Sequence, residues 1–310
     1  MALLARKKIL LAKIEGTYGT DPTPTGSANA IQTSQLSITP LAGPTVSRDL
    51  NRSTLGNDLQ IQVGSFVQVS FMVEIAGGGA VDTAPAYGPL LEACGFSETV
   101  NASTSVVYAP VSTAFDSVTM YFHHDGQLHK VTGARGTVAL SLNPGEIPHY
   151  AFTFTGLYNT PSSTTDATPD FSDFVTPLPV NNTNTTTFSL HSVSATMISC
   201  SLDVANNVVY RNVVGNESVE LIDRAPSGQI VIEAPTITTK NWFSTALAST
   251  TGALSIVHGT ATGNIVTIGA PNAQIVSPTY GESDGISTLA MGLALVPGSS
   301  GNDEITITTT

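Results

Sequence analysis

Apolar and polar residues alternate along several parts of this chain, and such a period of two predicts half-buried β-strands. The pattern is clearest from Leu59 to Ile75, where Val67, Val69, Phe71 and Val73 are separated by other residues. Further predicted strands are Ile31–Leu41, Ser117–Phe122, Gly136–Leu142, Tyr150–Leu157 and Phe188–Leu202. The chain is therefore predicted to be mainly β.

Two short segments instead follow the helical period. Between Thr83, a candidate N-cap, and Gly95, a candidate C-terminal glycine, four apolar residues fall on one stripe: Tyr87, Leu90, Leu91 and Cys94. Lys240–Ser249 places Phe243, Ala246 and Leu247 on one side, with Thr238 and Thr239 available as caps. Each helix is short and is expected to cover one face of a sheet.

Three segments are polar or rich in turn residues. Residues 15–29 are predicted to form no helix, and residues 42–58 a long loop or an extended hairpin. Residues 160–187 read as a connector because they are rich in Pro, Thr and Asn. The basic and apolar start, Met1–Ile14, is too short in its apolar run for an export signal and is interpreted as an arm or strand.

An internal repeat is the strongest organisational signal. With an offset of 159 residues, Arg52, Gly56, Asn57 and Asp58 match Arg211, Gly215, Asn216 and Glu217, and Phe71–Glu74 matches Ile230–Glu233. A third match pairs Gly145-Glu146 and Gly156-Leu157 with Gly281-Glu282 and Gly292-Leu293. These matches predict two tandem antiparallel domains, 1–160 with an arm at 1–29, and 161–310 with the linker 160–187. Each is expected to be an α+β unit or a small sandwich or barrel with one helix.

Composition narrows the function. The 310 residues carry a formal net charge of −12, and only 11% are charged. A chain with so few cations is unsuited to binding duplex DNA tightly, because phosphate neutralisation needs clustered Lys and Arg. No apolar run approaches the length of a membrane helix. The two cysteines, Cys94 and Cys200, are interpreted as core residues, with a disulfide between them as the less favoured alternative.

The sequence contains few candidates for catalytic, metal-binding or nucleotide-binding residues. The group His123–His129 flanks an Asp-Gly hairpin turn, and His123 and His129 could face each other as metal ligands, but a polar hairpin tip is the preferred interpretation. Glu74 and Glu233 lie inside apolar strands and are expected on the polar face rather than as acids with raised pKa values. Gly77–Gly79 is interpreted as a flexible strand exit, since it lacks a nucleotide-binding spacing. We therefore expect no catalysis, no cofactor and no metal.

The chain resembles the tail tube proteins of long, non-contractile-tailed bacteriophages. The residues that carry the resemblance are 12–24, 52–71, 84–96, 210–235 and the final Gly301-Asn302-Asp303-Glu304 followed by a short strand. The resemblance implies packed antiparallel sheets with a flanking helix, and stacked rings whose inner strands line a channel for the genome. Many relatives have one such domain and form hexamers, so the doubling here favours a trimer with pseudo-sixfold symmetry.

The resemblance also implies partners and a location. The expected partners are other copies of the chain, the terminator, tape-measure and tail-tip proteins, and passing DNA without specific binding. The chain would be made in the bacterial host cytoplasm and function in the virion tail. Contacts between copies are expected at five cations of the first 52 residues, Arg6, Lys7, Lys8, Arg48 and Arg52, and at Arg211, which matches Arg52 in the repeat. The alternatives are an exported β-sandwich adhesin or fimbrial subunit and, third, a glycan-cleaving β protein.

Overall fold

The computed structural model describes residues 2–310, which form 22 strands and three short helices. In the first half the elements are β1 (Lys8–Ile14), α1 (Gly26–Asn29), β2 (Ala30–Ile31), β3 (Ser34–Thr39), β4 (Thr45–Ser47), β5 (Gln60–Gln62), β6 (Phe66–Glu74), α2 (Gly88–Glu92), β7 (Phe96–Asn101), β8 (Ser105–Pro110), β9 (Val118–His124), β10 (Gln127–Leu142) and β11 (His149–Tyr158). In the second half they are β12 (Ser162–Ser163), β13 (Thr185–Leu190), β14 (Val193–Ser194), β15 (Met197–Asp203), β16 (Asn206–Val213), β17 (Asn216–Arg224), β18 (Ser227–Glu233), α3 (Trp242–Leu247), β19 (Thr251–His258), β20 (Val266–Ser283), β21 (Ile286–Leu295) and β22 (Thr306–Thr309). The mainly β prediction is confirmed.

Each half contains six antiparallel strands in the same spatial order. In the first half the order is β3–β6–β11–β10–β9–β1, and in the second it is β15–β18–β21–β20–β19–β13. In both halves a two-stranded hairpin, β4–β5 or β16–β17, lies between the first and second strands of that series in the chain. The first half has an additional hairpin, β7–β8, after its helix.

The two halves are joined by hydrogen-bonded strands and by a common core. β10 pairs with β15, and β22 pairs with both β8 and β20. One hydrophobic cluster runs through both halves, from Leu10 in β1 to Ile307 in β22. The predicted boundary at residue 160 falls just before β12, which pairs back onto β10. The division into two domains therefore stays a prediction, and the halves do not have separate cores.

The buried face of β6 confirms the period-two prediction and packs against aromatic residues of β11. Val67, Val69, Phe71 and Val73 of β6 are buried, while Gln68 and Ser70 between them are exposed. The ring of Phe71 lies 5.5 Å from that of Phe152, which is directly opposite on β11. Such cross-strand pairs fix the register of a sheet with one buried face.

Helix α2 has the predicted apolar stripe but is shorter than predicted. Tyr87, Leu90, Leu91 and Cys94 are all buried, and Gly95 has the expected positive φ of 81°. The helix nevertheless begins at Gly88, so the N-cap prediction for Thr83 is wrong. Pro89 has no N–H with which to extend a helical ladder back to residue 85, so it occupies the first turn instead.

The remaining helix predictions need correction. In α3 the N-cap is Asn241, whose side chain accepts a hydrogen bond from Ser244 N at 3.0 Å. Trp242 is the buried residue of this helix, whereas Leu247 is 89% exposed, so the predicted apolar side is wrong. Residues 26–29 form α1, a single turn closed by Asn29 N donating to Thr25 O at 2.9 Å, although no helix was expected there.

The glycine run after β6 is tightly packed rather than a flexible exit. Gly77 N donates to Asn264 Oδ1, and Gly79 N donates to Gly263 O, both at 2.9 Å. A Cβ atom on Gly77 would lie 2.2 Å from Gly263 O. Glycine is needed because two loops from different halves of the chain meet here backbone to backbone.

Candidate functional site: assembly surfaces

The junction between the halves is a short antiparallel ladder. Residues 139–142 of β10 pair with residues 200–203 of β15, with Leu140 opposite Leu202 and Leu142 opposite Cys200. Leu140, Leu142, Cys200 and Leu202 are all buried. At this junction the edge strand β15 of the second six-stranded unit pairs with β10 of the first unit.

The hairpin β16–β17 folds over this junction and is held there by hydrogen bonds. Asn206 donates its side-chain amide to Cys94 O at 2.6 Å and to Gly136 O at 3.0 Å. Its backbone N–H donates to Thr137 Oγ1 at 3.0 Å. The amide thus satisfies two carbonyls of the first half that the strand ladder leaves unpaired.

Arg135 fastens the same hairpin from the side of β10. Its guanidinium donates to Val219 O at 2.9 Å, to Glu220 Oε2 at 2.8 Å and to Phe115 O at 2.8 Å. The guanidinium also lies 4.9 Å from the ring centroid of Tyr18, a cation–π distance. The fork geometry of arginine lets one side chain bind both halves at once.

A second arginine, Arg224, is the last residue of β17 and binds the hairpin to the rest of the chain. It pairs with Glu304, with 2.6 Å from Nη2 to Oε1, and donates to Val111 O at 2.9 Å. The two side chains are only 12% and 7% exposed. Sequence reasoning missed Arg135, Asn206 and Arg224, although a lone arginine within a strand, as in Gly133-Ala134-Arg135-Gly136, was a usable signal.

Five of the six predicted contact cations are exposed and Lys8 is half-buried, and three of the six have partners within the chain. Lys7 Nζ lies 3.0 Å from Asp125 Oδ1, Lys8 Nζ donates to Leu36 O at 3.0 Å, and Arg52 pairs with Asp58. Arg6, Arg48 and Arg211 are exposed and make no ion pair within residues 2–310. Their role in contacts between copies stays a prediction.

The repeated motif residues lie in the two hairpins that correspond in strand order. Gly56, Asn57 and Asp58 lie in the wide loop between β4 and β5, whereas Gly215 lies with Val214 in the tight turn of β16–β17, and Asn216 begins β17. Glu217 accepts a hydrogen bond from Tyr210 and does not pair with Arg211. The matched sequences therefore share a place in the topology but not a local geometry.

Of the other two sequence matches, one pairs positions that correspond in the strand registers and the other does not. Glu74 lies opposite His149 and Glu233 opposite Thr288, at the ends of corresponding strands. Glu74 is exposed and Glu233 is half-buried, in keeping with a polar face. Gly156, by contrast, lies opposite Val67 while Gly292 lies opposite Gln229, so the third sequence match is out of register in the structure.

Among the exposed large apolar side chains of residues 2–310, two groups bear on assembly. Residues 41–63, which contain the hairpin β4–β5 and its loop, expose seven: Leu41, Val46, Leu50, Leu55, Leu59, Ile61 and Val63. A second group lies where β20 and β21 run beside α3, and consists of Phe243, Leu247, Val276, Tyr280 and Ile286. The rings of Phe243 and Tyr280 lie 5.2 Å apart. Apolar surface of this extent is typical of interaction sites.

The histidine group does not form the suggested pair. Asp125 and Gly126 both have positive φ, as a type I′ turn requires, and His124 pairs with Gln127. His123 then lies opposite Leu128, so His123 and His129 point to opposite faces of the ribbon. Burial lowers the pKa of both imidazoles. Among residues 2–310, no three His, Cys, Asp or Glu residues are grouped as metal ligands.

One buried carboxylate was not anticipated from the sequence. Glu15 is 6% exposed and accepts four hydrogen bonds: from Gly19 N and Gly133 N at 2.7 Å, from Ser117 Oγ at 2.6 Å and from Thr119 Oγ1 at 2.5 Å. Because both oxygens are occupied by donors, this residue anchors the turn after β1 and is not available to a substrate. Cys94 and Cys200 are free and buried, as expected for core residues, and burial raises both thiol pKa values.

Comparison with known proteins gives one result. The model of the family described as "Phage tail tube protein" matches residues 5–309, nearly the whole chain. No curated protein matches the sequence. Within residues 2–310, no helix is long and apolar enough to cross a membrane.

Proposed function

This chain belongs to the phage tail tube protein family, as a structural component of the virion tail, and we propose that its copies close into rings that stack into the tube. The observation that carries this proposal is the strand order shared by the two halves. A chain with two corresponding six-stranded units is suited to cyclic repetition, because each unit offers an edge to the next. Cyclic closure leaves no free end within a ring, whereas stacking continues and produces a filament.

We infer three chains per ring. The diameter of a barrel grows with the number of its strands, so a channel of given bore needs a given number of strands. If single-domain relatives reach that number with six chains, two-domain chains reach it with three. The connector 160–187 links neighbouring units within the chain.

The charge of the chain supports a role as a conduit for the genome. With a net charge of −12, the channel wall is expected to be net negative, and DNA passing such a wall meets few cations to which its phosphates could bind. The predicted contact cations would then lie between copies. A tube map with Arg6, Lys7, Lys8, Arg48 and Arg52 all pointing into the channel would contradict this part.

Assembly in the host cytoplasm, contacts with the terminator, tape-measure and tail-tip proteins, and the absence of catalysis complete the proposal. Negative-stain microscopy of the purified chain tests it. We expect tubes or rings of uniform width. A chain that stays monomeric at every concentration and binds a carbohydrate would favour the adhesin alternative.

A further inference from the structure

The first strands of the two six-stranded series, β3 and β15, differ in whether another strand pairs with their outer edge. β15 pairs with β18 on one side and with β10 on the other. Its counterpart β3 pairs with β6, with Ile38 opposite Val69, and has no strand on its other side within residues 2–310. An unpaired strand edge offers a row of backbone donors and acceptors to another chain.

The complementary edge lies on β20. Residues 279–282 of β20 pair with β21, with Thr279 opposite Ala290 and Gly281 opposite Thr288. On the other side, the pairing with β19 ends at Gln274, and no strand follows it within residues 2–310. The corresponding stretch of β10 is the one that binds β15.

The registers of the sheets give the residue-by-residue correspondence. Glu74 lies opposite His149 and His149 opposite Ser141, just as Glu233 lies opposite Thr288 and Thr288 opposite Gly281. Ser141 and Gly281 therefore correspond. By the same reasoning, Ser37 opposite Ser70 corresponds to Ser201 opposite Gln229, since positions 70 and 229 differ by the repeat offset.

We propose that β3 of one copy adds antiparallel to β20 of the next copy, in the register that β15 has on β10. The predicted pairs are Thr39 with Thr279, Ile38 with Tyr280, Ser37 with Gly281 and Leu36 with Glu282. This inference rests on the proposed ring assembly and names the edges that close the ring. The occupant of each free edge is a second copy of this chain.

Burial supports this choice of partner. Tyr280 is 58% exposed, although its counterpart Leu140 is 3% exposed under β15. In the proposed contact Tyr280 lies opposite Ile38 and is covered as Leu140 is covered by Leu202. Pairs of aromatic and β-branched residues across strands are among the stabilising ones.

The exposed hairpin β4–β5 supports the proposed pairing of β3 with β20 independently. The hairpin β16–β17 covers β10 and β11 within the chain. In the contact between copies, the corresponding hairpin β4–β5 would cover β20 and β21. Both of these surfaces carry exposed apolar side chains, including Ile61 and Val63 on one and Val276 and Ile286 on the other. Ser65 takes the place of Arg224 at the repeat offset, so apolar burial replaces the arginine–glutamate pair of the junction within the chain.

Disulfide trapping in assembled tubes tests the register. The double variant Ile38→Cys/Tyr280→Cys places two thiols directly opposite each other, within the Cα spacing of about 4.4–6.8 Å that a disulfide spans. The control Ile38→Cys/Glu282→Cys places them on the same face but diagonally, about 7–8 Å apart. The native Cys94 and Cys200 are buried, so the wild-type chain serves as the background.

We expect oxidation to convert most of the matched variant into covalent multimers on a non-reducing gel, with at least tenfold less product from the control. Assembled tubes that give no product from the matched pair, or equal product from the control, would overturn the register while leaving ring assembly intact. A wild-type chain that forms no tubes would contradict the proposed function itself. If the cysteine variants do not assemble, a density map of the wild-type tube decides: β3 must lie against residues 279–282 of the neighbouring copy, and any other strand there refutes the inference.

Discussion

Leu140 of β10 lies directly opposite Leu202 of β15, and their side chains are 3% and 1% exposed. This pair belongs to the folded chain, whereas Tyr280, at the corresponding place in β20, remains exposed. The same substitution should therefore have different consequences at the two positions.

We predict that Tyr280→Asp leaves the monomer folded but prevents assembly, while Leu140→Asp prevents folding, because it buries an unpaired carboxylate in the core. Circular dichroism and sedimentation of the purified variants distinguish the two outcomes. The control is Val100→Asp, which changes an exposed residue of β7 outside the proposed contact and should still assemble. Normal tubes from Tyr280→Asp would show that this edge is not used.

The close approach of Gly77 to Gly263 predicts sensitivity to a single methyl group. We expect Gly77→Ala to lower the free energy of unfolding by about 1–3 kcal/mol, the usual cost of overpacking. Urea denaturation measures the effect. Gly56→Ala is the matched control, since a Cβ on Gly56 would have no atom within 4 Å. Equal stability of the two variants would mean that the two loops are not in contact.

The pair Arg224–Glu304 predicts an asymmetric response to substitution. Arg224→Met leaves the Glu304 carboxylate buried without its partner and should cost about 3–5 kcal/mol, whereas Arg224→Met/Glu304→Leu should recover much of the loss. Lys7→Met removes an exposed pair and should leave the free energy of unfolding nearly unchanged. An Arg224→Met variant that is as stable as the wild type in chemical denaturation would refute the burial of this pair.

Glu92 predicts a dependence of stability on pH. Burial, together with the nearby carboxylates Glu98 and Asp116, raises the pKa of Glu92 from 4.5 to about 7. Because the folded state holds this proton more tightly than the unfolded state, the contribution of Glu92 to stability falls as the pH rises from about 4.5 to 7. Above that window its protonation no longer contributes.

The variant Glu92→Gln isolates this effect. We expect it to match the wild type near pH 4.5 and to be more stable by about 1–2 kcal/mol at pH 8, a value reduced for partial exposure. Denaturation curves of both proteins at several pH values provide the measurement. A difference that does not change with pH would mean that the carboxyl group has an ordinary pKa.

Local patterns predicted much of the fold. The alternation in β6 gives its buried face, the Asp-Gly turn gives the β9–β10 hairpin, and the apolar stripe through Leu90 and Leu91 gives the buried side of α2. In each case the signal and the structure involve residues near each other in the chain. The boundaries were less accurate where Pro89 and Asn241 determine the start of a helix.

The junction between the halves could not be predicted in this way. It joins β10 to β15 across about 60 residues, and most side-chain hydrogen bonds of Asn206 and Arg224 end on backbone carbonyls or on Glu304, which no local pattern marks. The repeat did point to hairpins and strands that correspond. It did not show that Arg52 would pair with Asp58 while Arg211 makes no ion pair within residues 2–310, because the loop between β4 and β5 is wide and the β16–β17 turn is tight.

The number of chains in one ring of the assembled tube is the sharpest test of the proposed trimer with pseudo-sixfold symmetry. A density map of the tube, with the chain traced through it, gives both the copy number and the relation between the halves. We predict three chains per ring, with the two halves of each chain related to one another by a rotation of about one sixth of a turn, as six units around a barrel require. Six copies per ring, or halves that do not superpose, would contradict it.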